Sequence, residues 1–127
     1  MKLIKKKYID FTFTKSVANM KNISCSPRKL RLVANIIRNK KVEYSIYKLN
    51  HIKNKGAIII KNLLLSAISN WKIKNLKKDI NQYNFYIEKI LVNQGYQLKK
   101  IRPAPQGRGN KVRKKYSNLY ITIISKL

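Results

Sequence analysis

The sequence predicts an α+β domain, and three observations carry that expectation. Three segments repeat apolar residues at helical spacing, and two later segments are β-rich runs with alternating apolar residues. Between those two runs lies a basic stretch bearing Pro and Gly, which reads as a chain reversal at the end of a protruding arm. The 127 residues suffice for one domain with one core, and no repeat or Gly/Pro/Ser linker divides them.

Residues 1–14 carry Lys5, Lys6 and Lys7 ahead of Phe11 and Phe13 and read as a basic N-terminal extension, partly ordered at most; residues 15–127 form the single domain. Residues 15–22 suggest a short strand. The first helix opens at Ser26-Pro27, because Ser is a favoured N-cap and Pro at the first helical position forfeits no hydrogen bond. Leu30, Val33, Ala34 and Ile37 form its apolar stripe, and Arg28, Arg31, Asn35 and Arg38 form a polar one; Asn39-Lys40-Lys41 ends it in a turn. A short second helix fits Glu43 to Leu49, with Ile46 and Leu49 facing in. The third is the longest: Ala57, Ile60, Leu64, Ala67 and Trp71 step by three and four, and Ile58, Ile59, Leu63, Leu65 and Ile68 widen the stripe until little of the helix reads as wet. Trp71 is a core aromatic in this scheme.

Lys72 to Gln82 is a polar connector. Tyr83–Val92 then reads as a strand with Phe85, Ile87 and Leu91 on one face, and Tyr116–Ser125 as its partner with Leu119, Ile121 and Ile123 on one face. The segment joining them, about residues 93–115, holds eight basic residues between Lys99 and Lys115 and no acid. Only Leu98, Ile101 and Val112 offer aliphatic burial there, and Pro103, Pro105, Gly107 and Gly109 place the reversal near 105–107. Eight extended residues on each side project on the order of 25 Å. A two-stranded ribbon of this kind is marginally stable in water at best, and like charge adds repulsion, so its surroundings should be anionic.

Thirty Lys and Arg against four acids give a formal charge of +26, which suits a surface covered by phosphates better than a free enzyme. The acids Asp10, Glu43, Asp79 and Glu88 lie singly, so no carboxylate pair exists for metal-dependent or acid/base chemistry. One cysteine, Cys25, and one histidine, His51, make neither an intramolecular disulfide nor a structural zinc site. No catalytic residue, metal or cofactor is expected. No apolar run approaches the roughly twenty residues of a membrane helix, and the N-terminus lacks the apolar core of a secretory signal.

Lys (24), Ile (19) and Asn (14) dominate the composition, a bias that AT-rich codons produce by drift, so the six Arg are the informative cations. All six, Arg28, Arg31, Arg38, Arg102, Arg108 and Arg113, fall in the first helix or the arm. Arginine's planar fork grips phosphate bidentately and stacks on bases, which lysine's point charge does not. The expected RNA-binding set is therefore Arg28, Lys29, Arg31, Asn35 and Arg38 on the helix, and Lys99, Lys100, Arg102, Arg108, Lys111, Arg113, Lys114 and Lys115 on the arm. Tyr96 and Tyr116, at the arm's base, are the two tyrosines offered for RNA contact. His51 and Cys25 read as surface or packed residues. A DNA-binding architectural protein with a basic arm is the rival class, although such proteins dimerise and no self-complementary face is evident; a small nuclease is disfavoured for want of carboxylates.

Three segments resemble one known family. Ser26-Pro27-Arg28-Lys29-Leu30-Arg31-Leu32-Val33-Ala34 with Ile36-Ile37-Arg38-Asn39-Lys40-Lys41-Val42 is similar to the opening helix of large-subunit ribosomal protein twenty-two. Leu65-Ser66-Ala67-Ile68-Ser69-Asn70-Trp71 resembles the end of that family's long helix, and Lys99 to Gly109 with Val112 to Asn118 resembles its hairpin. The resemblance is collinear over about residues 15–125. It implies three helices packed on a small antiparallel sheet with a long protruding β-hairpin. It further implies partnership with large-subunit rRNA, neighbouring ribosomal proteins and the nascent polypeptide, in a cytoplasmic or organellar ribosome, with no membrane and no homo-oligomer. The tip implied to line the peptide exit tunnel is Arg102, Pro103, Ala104, Pro105, Gln106, Gly107, Arg108, Gly109 and Asn110.

Overall fold

The computed structural model describes residues 14–76 and 80–126. Residues 1–13 of the basic extension, and part of the polar connector, lie outside the described residues. The described elements are β1 (Thr14–Ile23), α1 (Pro27–Ile37), α2 (Val42–His51), α3 (Lys55–Lys74), a short 3₁₀ turn (Ile80–Gln82), β2 (Asn84–Ala104) and β3 (Arg108–Lys126). Three helices and a three-stranded antiparallel sheet with a long β2–β3 hairpin make the expected α+β fold.

The strands run in the order β1-β3-β2, so the last strand of the sequence is central. Its alternation explains why: Ser117, Leu119, Ile121, Ile123 and Ser125 are all buried on one face, as a strand flanked on both sides and covered by helices on one face demands. The other two strands carry every register shift. Against β3, β1 holds one extra residue, between Met20 and Ile23, and β2 holds two, between Ile87 and Lys89 and between Gln94 and Gln97, while β3 runs without insertion.

The shift after Ile87 corrects one sequence expectation. A period-two reading puts Leu91 inside with Phe85 and Ile87, but the bulge at Glu88 moves the phase by one, so Ile90 and Val92 are buried and Leu91 is 49% exposed. The displaced Glu88 reaches across Ile124 to pair with Lys15 of β1 at 2.5 Å, the one ion pair among the described residues.

Helix α1 buries Leu30, Val33, Ala34 and Ile37, as its stripe predicts. Helix α3 buries Ala57, Ile60, Leu63, Leu64, Ala67 and Trp71, but it is not wet-free: Ile58 (61%) and Leu65 face solvent. Helix α2 begins at Val42, ends at His51, and buries Val42, Ser45 and Leu49, with Ile46 half-buried against the core. The α1–α2 turn holds Asn39 at φ 58° and lies along the free edge of β2, where Ile87 N–H donates to Lys40 C=O at 3.0 Å. This covers part of an otherwise open strand edge.

Buried serines tie the layers together. Ser16 Oγ donates to Ala67 C=O of α3 (2.9 Å), and Ser117 Oγ donates to Cys25 C=O before α1 (2.9 Å). Trp71 Nε1 donates to Ser125 Oγ (3.2 Å), which in turn donates to Thr14 C=O (3.3 Å). No buried side-chain polar atom among the described residues lacks a partner, so none of these hydroxyls carries an uncompensated desolvation cost.

Candidate nucleic-acid interface

The arm is a continuous antiparallel ladder. From Gln97↔Lys115 the pairing proceeds rung by rung to Ala104↔Arg108, leaving Pro105-Gln106-Gly107 as the turn. Gln106 (φ 64°) and Gly107 (φ 68°) both adopt left-handed backbone, which Gly supplies at no steric cost. Eight rungs at about 3.3 Å each give an arm of roughly 26 Å, in line with the reach expected from sequence.

Paired residues share a face, so the register sorts the arm's cations. On the face continuous with the helix-free side of the sheet lie Lys100, Arg102, Arg108 and Lys114; on the face continuous with the helix side lie Lys99, Lys111, Arg113 and Lys115. Four positive residues on each face are the pattern of a ribbon enclosed by anions. One laid on an RNA surface needs charge on one side alone. All eight are exposed, and so are Leu98, Ile101 (73%) and Val112. The arm buries almost nothing against itself. In the free protein, the amides from Lys99 to Lys111 should therefore exchange far faster than those of Ile90 and Ile121 in the body; comparable protection in a hydrogen-exchange experiment would show that the arm is stable alone.

A second basic region meets the arm at its root. Arg28 and Arg31 of α1, Gln94 of β2 and Lys115 of β3 line one cavity of about 240 Å³ together with Ser26 and Pro27. Arg31 is held in place: its Nε and Nη2 donate to Val92 C=O at 3.3 and 3.0 Å, leaving the rest of the fork for an outside acceptor. Ser26 sits at the α1 N-cap without a side-chain capping bond, and no acid occupies the first turn, so this helix end is electropositive. Two groups that lie far apart in sequence thus form one basic band from α1 into the helix-side face of the arm.

Other expected residues are placed elsewhere. Lys29 lines a separate cleft with Cys25, Leu32 and Lys55. Asn35 and Arg38 lie toward the far end of α1, where Arg38 Nη2 donates to Asn35 Oδ1 at 3.3 Å. Gln94 escaped the sequence reading. Its inward parity with Val92 was the available signal, but the mis-phased strand hid it. His51 closes α2 beside the Tyr47 ring, and its Nδ1 lies 2.9 Å from Tyr47 C=O.

At the junction of arm and body, Gly95 occupies the bulge after Gln94. A Cβ there would lie 3.1 Å from the Tyr116 backbone, a tight contact that favours glycine in the bulge. Beside it Tyr96 and Tyr116 stack with ring centroids 4.2 Å apart and planes 14° from parallel. Lys114 Nζ stands 5.7 Å from the Tyr116 ring. The neighbouring Tyr116 hydroxyl raises the Tyr96 hydroxyl above its ordinary pKa; the Tyr96 hydroxyl, with Lys114 and Lys100, holds Tyr116 below it.

Comparison with known proteins follows the same outline. Residues 18–124 match the family described as Ribosomal protein L22p/L17e. A large ribosomal subunit protein uL22 from Karelsulcia muelleri is 70% identical, over 94% of this chain and 91% of the relative. Proteins of the same description from Flavobacterium johnsoniae and Bacteroides fragilis are 38% and 39% identical, covering 84% and 86% of this chain and 77% and 79% of theirs.

Proposed function

From the premise that this chain belongs to the ribosomal protein L22p/L17e family, we propose that it organises large-subunit rRNA by threading its arm between RNA segments. The protein is a structural, non-enzymatic constituent of the large ribosomal subunit, acting in translation in the cytoplasm. In the proposed arrangement Arg28, Lys29, Arg31, Asn35 and Arg38 hold rRNA at the body, and the eight arm cations neutralise phosphates on both sides of the ribbon. The tip, Arg102 to Asn110, faces the tunnel and the nascent polypeptide, with other large-subunit proteins as neighbours of the body. The observation that carries this reading is the even division of the arm's charge, four cations to each face. A ribbon that stabilises itself so little gains its order from what encloses it.

Geometry and charge are separable by experiment. Replacing Arg102, Arg108 and Arg113 together by Lys keeps the charge and removes three bidentate forks. Each charge-assisted contact weakened in this way costs on the order of 1 kcal/mol, since Lys retains part of the attraction. In competition with the unaltered protein for incorporation into large subunits, this variant should be out-competed. A control with Arg at Lys53, Lys72 and Lys74, exposed positions of the body, should incorporate normally. Equal incorporation of the two would mean that total charge alone matters.

A further inference from the structure

We propose that the stacked Tyr96–Tyr116 pair is a platform for one unpaired nucleobase, which stacks on the free face of Tyr96. The inference rests on the RNA-binding reading of the arm and adds to it a recognition element for single-stranded RNA.

The manner of packing comes first. The aromatic pairs of the core, Trp71 with Phe85 and with Tyr83, meet at 84° and 56°, tilted contacts in which edges close onto faces. Tyr96 and Tyr116 instead lie within 14° of parallel. A parallel stack leaves its outer faces open and is extended by any further flat ring. Tyr116 carries Lys114 as its cation neighbour, whereas Tyr96 meets no second ring and no cation among the described residues and is 53% exposed. Were the pair only a plug at the arm's root, burial would be its signature.

Position and charge then select the ligand. Both rings lie on the helix-free face of the ribbon, in line with Lys114 two rungs along and Lys100 four rungs along. A base on Tyr96 thus has cations two and four rungs along for the strand's backbone, the combination of aromatic plane and basic track that binds single strands. Paired bases offer no such free face, so duplex RNA is excluded from the platform. The platform is also fixed in advance. The Gly95 bulge, where a side chain would crowd the Tyr116 backbone, sets the Tyr96 backbone against Tyr116, so little ordering remains to be done on binding.

The test uses the full-length protein, a single-stranded RNA hexamer carrying one 2-aminopurine, whose emission is quenched by stacking, and a short RNA duplex as the electrostatic control. Tyr96→Phe keeps the ring; Tyr96→Leu keeps apolar bulk and removes it. The unaltered protein and Tyr96→Phe should quench the probe alike. Tyr96→Leu should lose most of the quenching and bind the hexamer about ten-fold more weakly, with duplex affinity unchanged. Undiminished quenching by Tyr96→Leu would overturn the proposal. So would equal losses on hexamer and duplex, because Tyr96 would then merely shape the arm. If the unaltered protein bound neither RNA, the RNA-binding reading would fall, and the platform with it.

Discussion

Raising monovalent salt from 50 to 200 mM should weaken binding of the protein to an rRNA fragment by about a thousand-fold or more. Each phosphate neutralised by Lys or Arg releases condensed counterions, and the logarithm of affinity falls by about 0.7–0.9 per contact for each logarithm of salt. Six to ten contacts give a loss of about 10³ to 10⁵ over that range. The arm alone presents eight cations, and Arg28 and Arg31 stand at its root. The slope also reports the arm's surroundings. Arg102 and Arg113 lie on opposite faces, so changing each to Gln singly, then both together, should lower the slope by about one and then about two if RNA lies on both sides. A ribbon resting on one surface would respond to only one of the two. Binding titrations at four or five salt concentrations decide it, and a flat response would eliminate the electrostatic account altogether.

That the arm's two faces are equally charged was not legible in the sequence, although the arm itself was. The eight cations, the Pro/Gly reversal and the flanking strands are local signals, and the turn fell at 105–107 as they indicate. Which cations share a face depends on register, and register is set by bulges that no local pattern announces. The same cause explains Leu91. One inserted residue at Glu88 reversed its parity, and the insertion is stabilised by a distant partner, Lys15, that only the tertiary fold supplies. The helices fared better because their apolar repeats are long. Leu30, Val33, Ala34 and Ile37 read and bury alike. Ile58 and Leu65 misled because hydrophobic composition does not fix which side of a helix the sheet covers. Arg31 shows the converse limit: helical spacing placed it on the polar stripe, but its anchor, the Val92 carbonyl, lies across the domain.

Replacing Trp71 by Ala should produce the largest loss of stability of any single change in the body, about 3–5 kcal/mol. The ring is fully buried at the end of α3, meets Phe85 edge-on at 5.0 Å and Tyr83 at 5.2 Å, and donates to Ser125 at the end of β3. Truncation removes a large apolar area, leaves a cavity between α3 and the sheet, and deletes one buried hydrogen bond. Ser125 Oγ keeps Thr14 C=O as its acceptor, so no orphaned hydroxyl adds to the loss. Against a total stability of about 5–15 kcal/mol, that change brings the domain near its unfolding threshold. Trp71→Phe retains an aromatic body and loses the indole N–H, and should cost about 2 kcal/mol. Denaturation followed by circular dichroism is the appropriate measurement, because Trp71 is the only tryptophan. The ring packs where Ser125 pairs with Phe85, at the end of the sheet opposite the arm. While Trp71→Phe stays folded, the salt slope of RNA binding should therefore match that of the unaltered protein. A Trp71→Ala loss below about 1 kcal/mol would contradict a filled, rigid core at this end of α3. A changed salt slope in Trp71→Phe would show that the core and the arm are coupled, against the division of labour the fold implies.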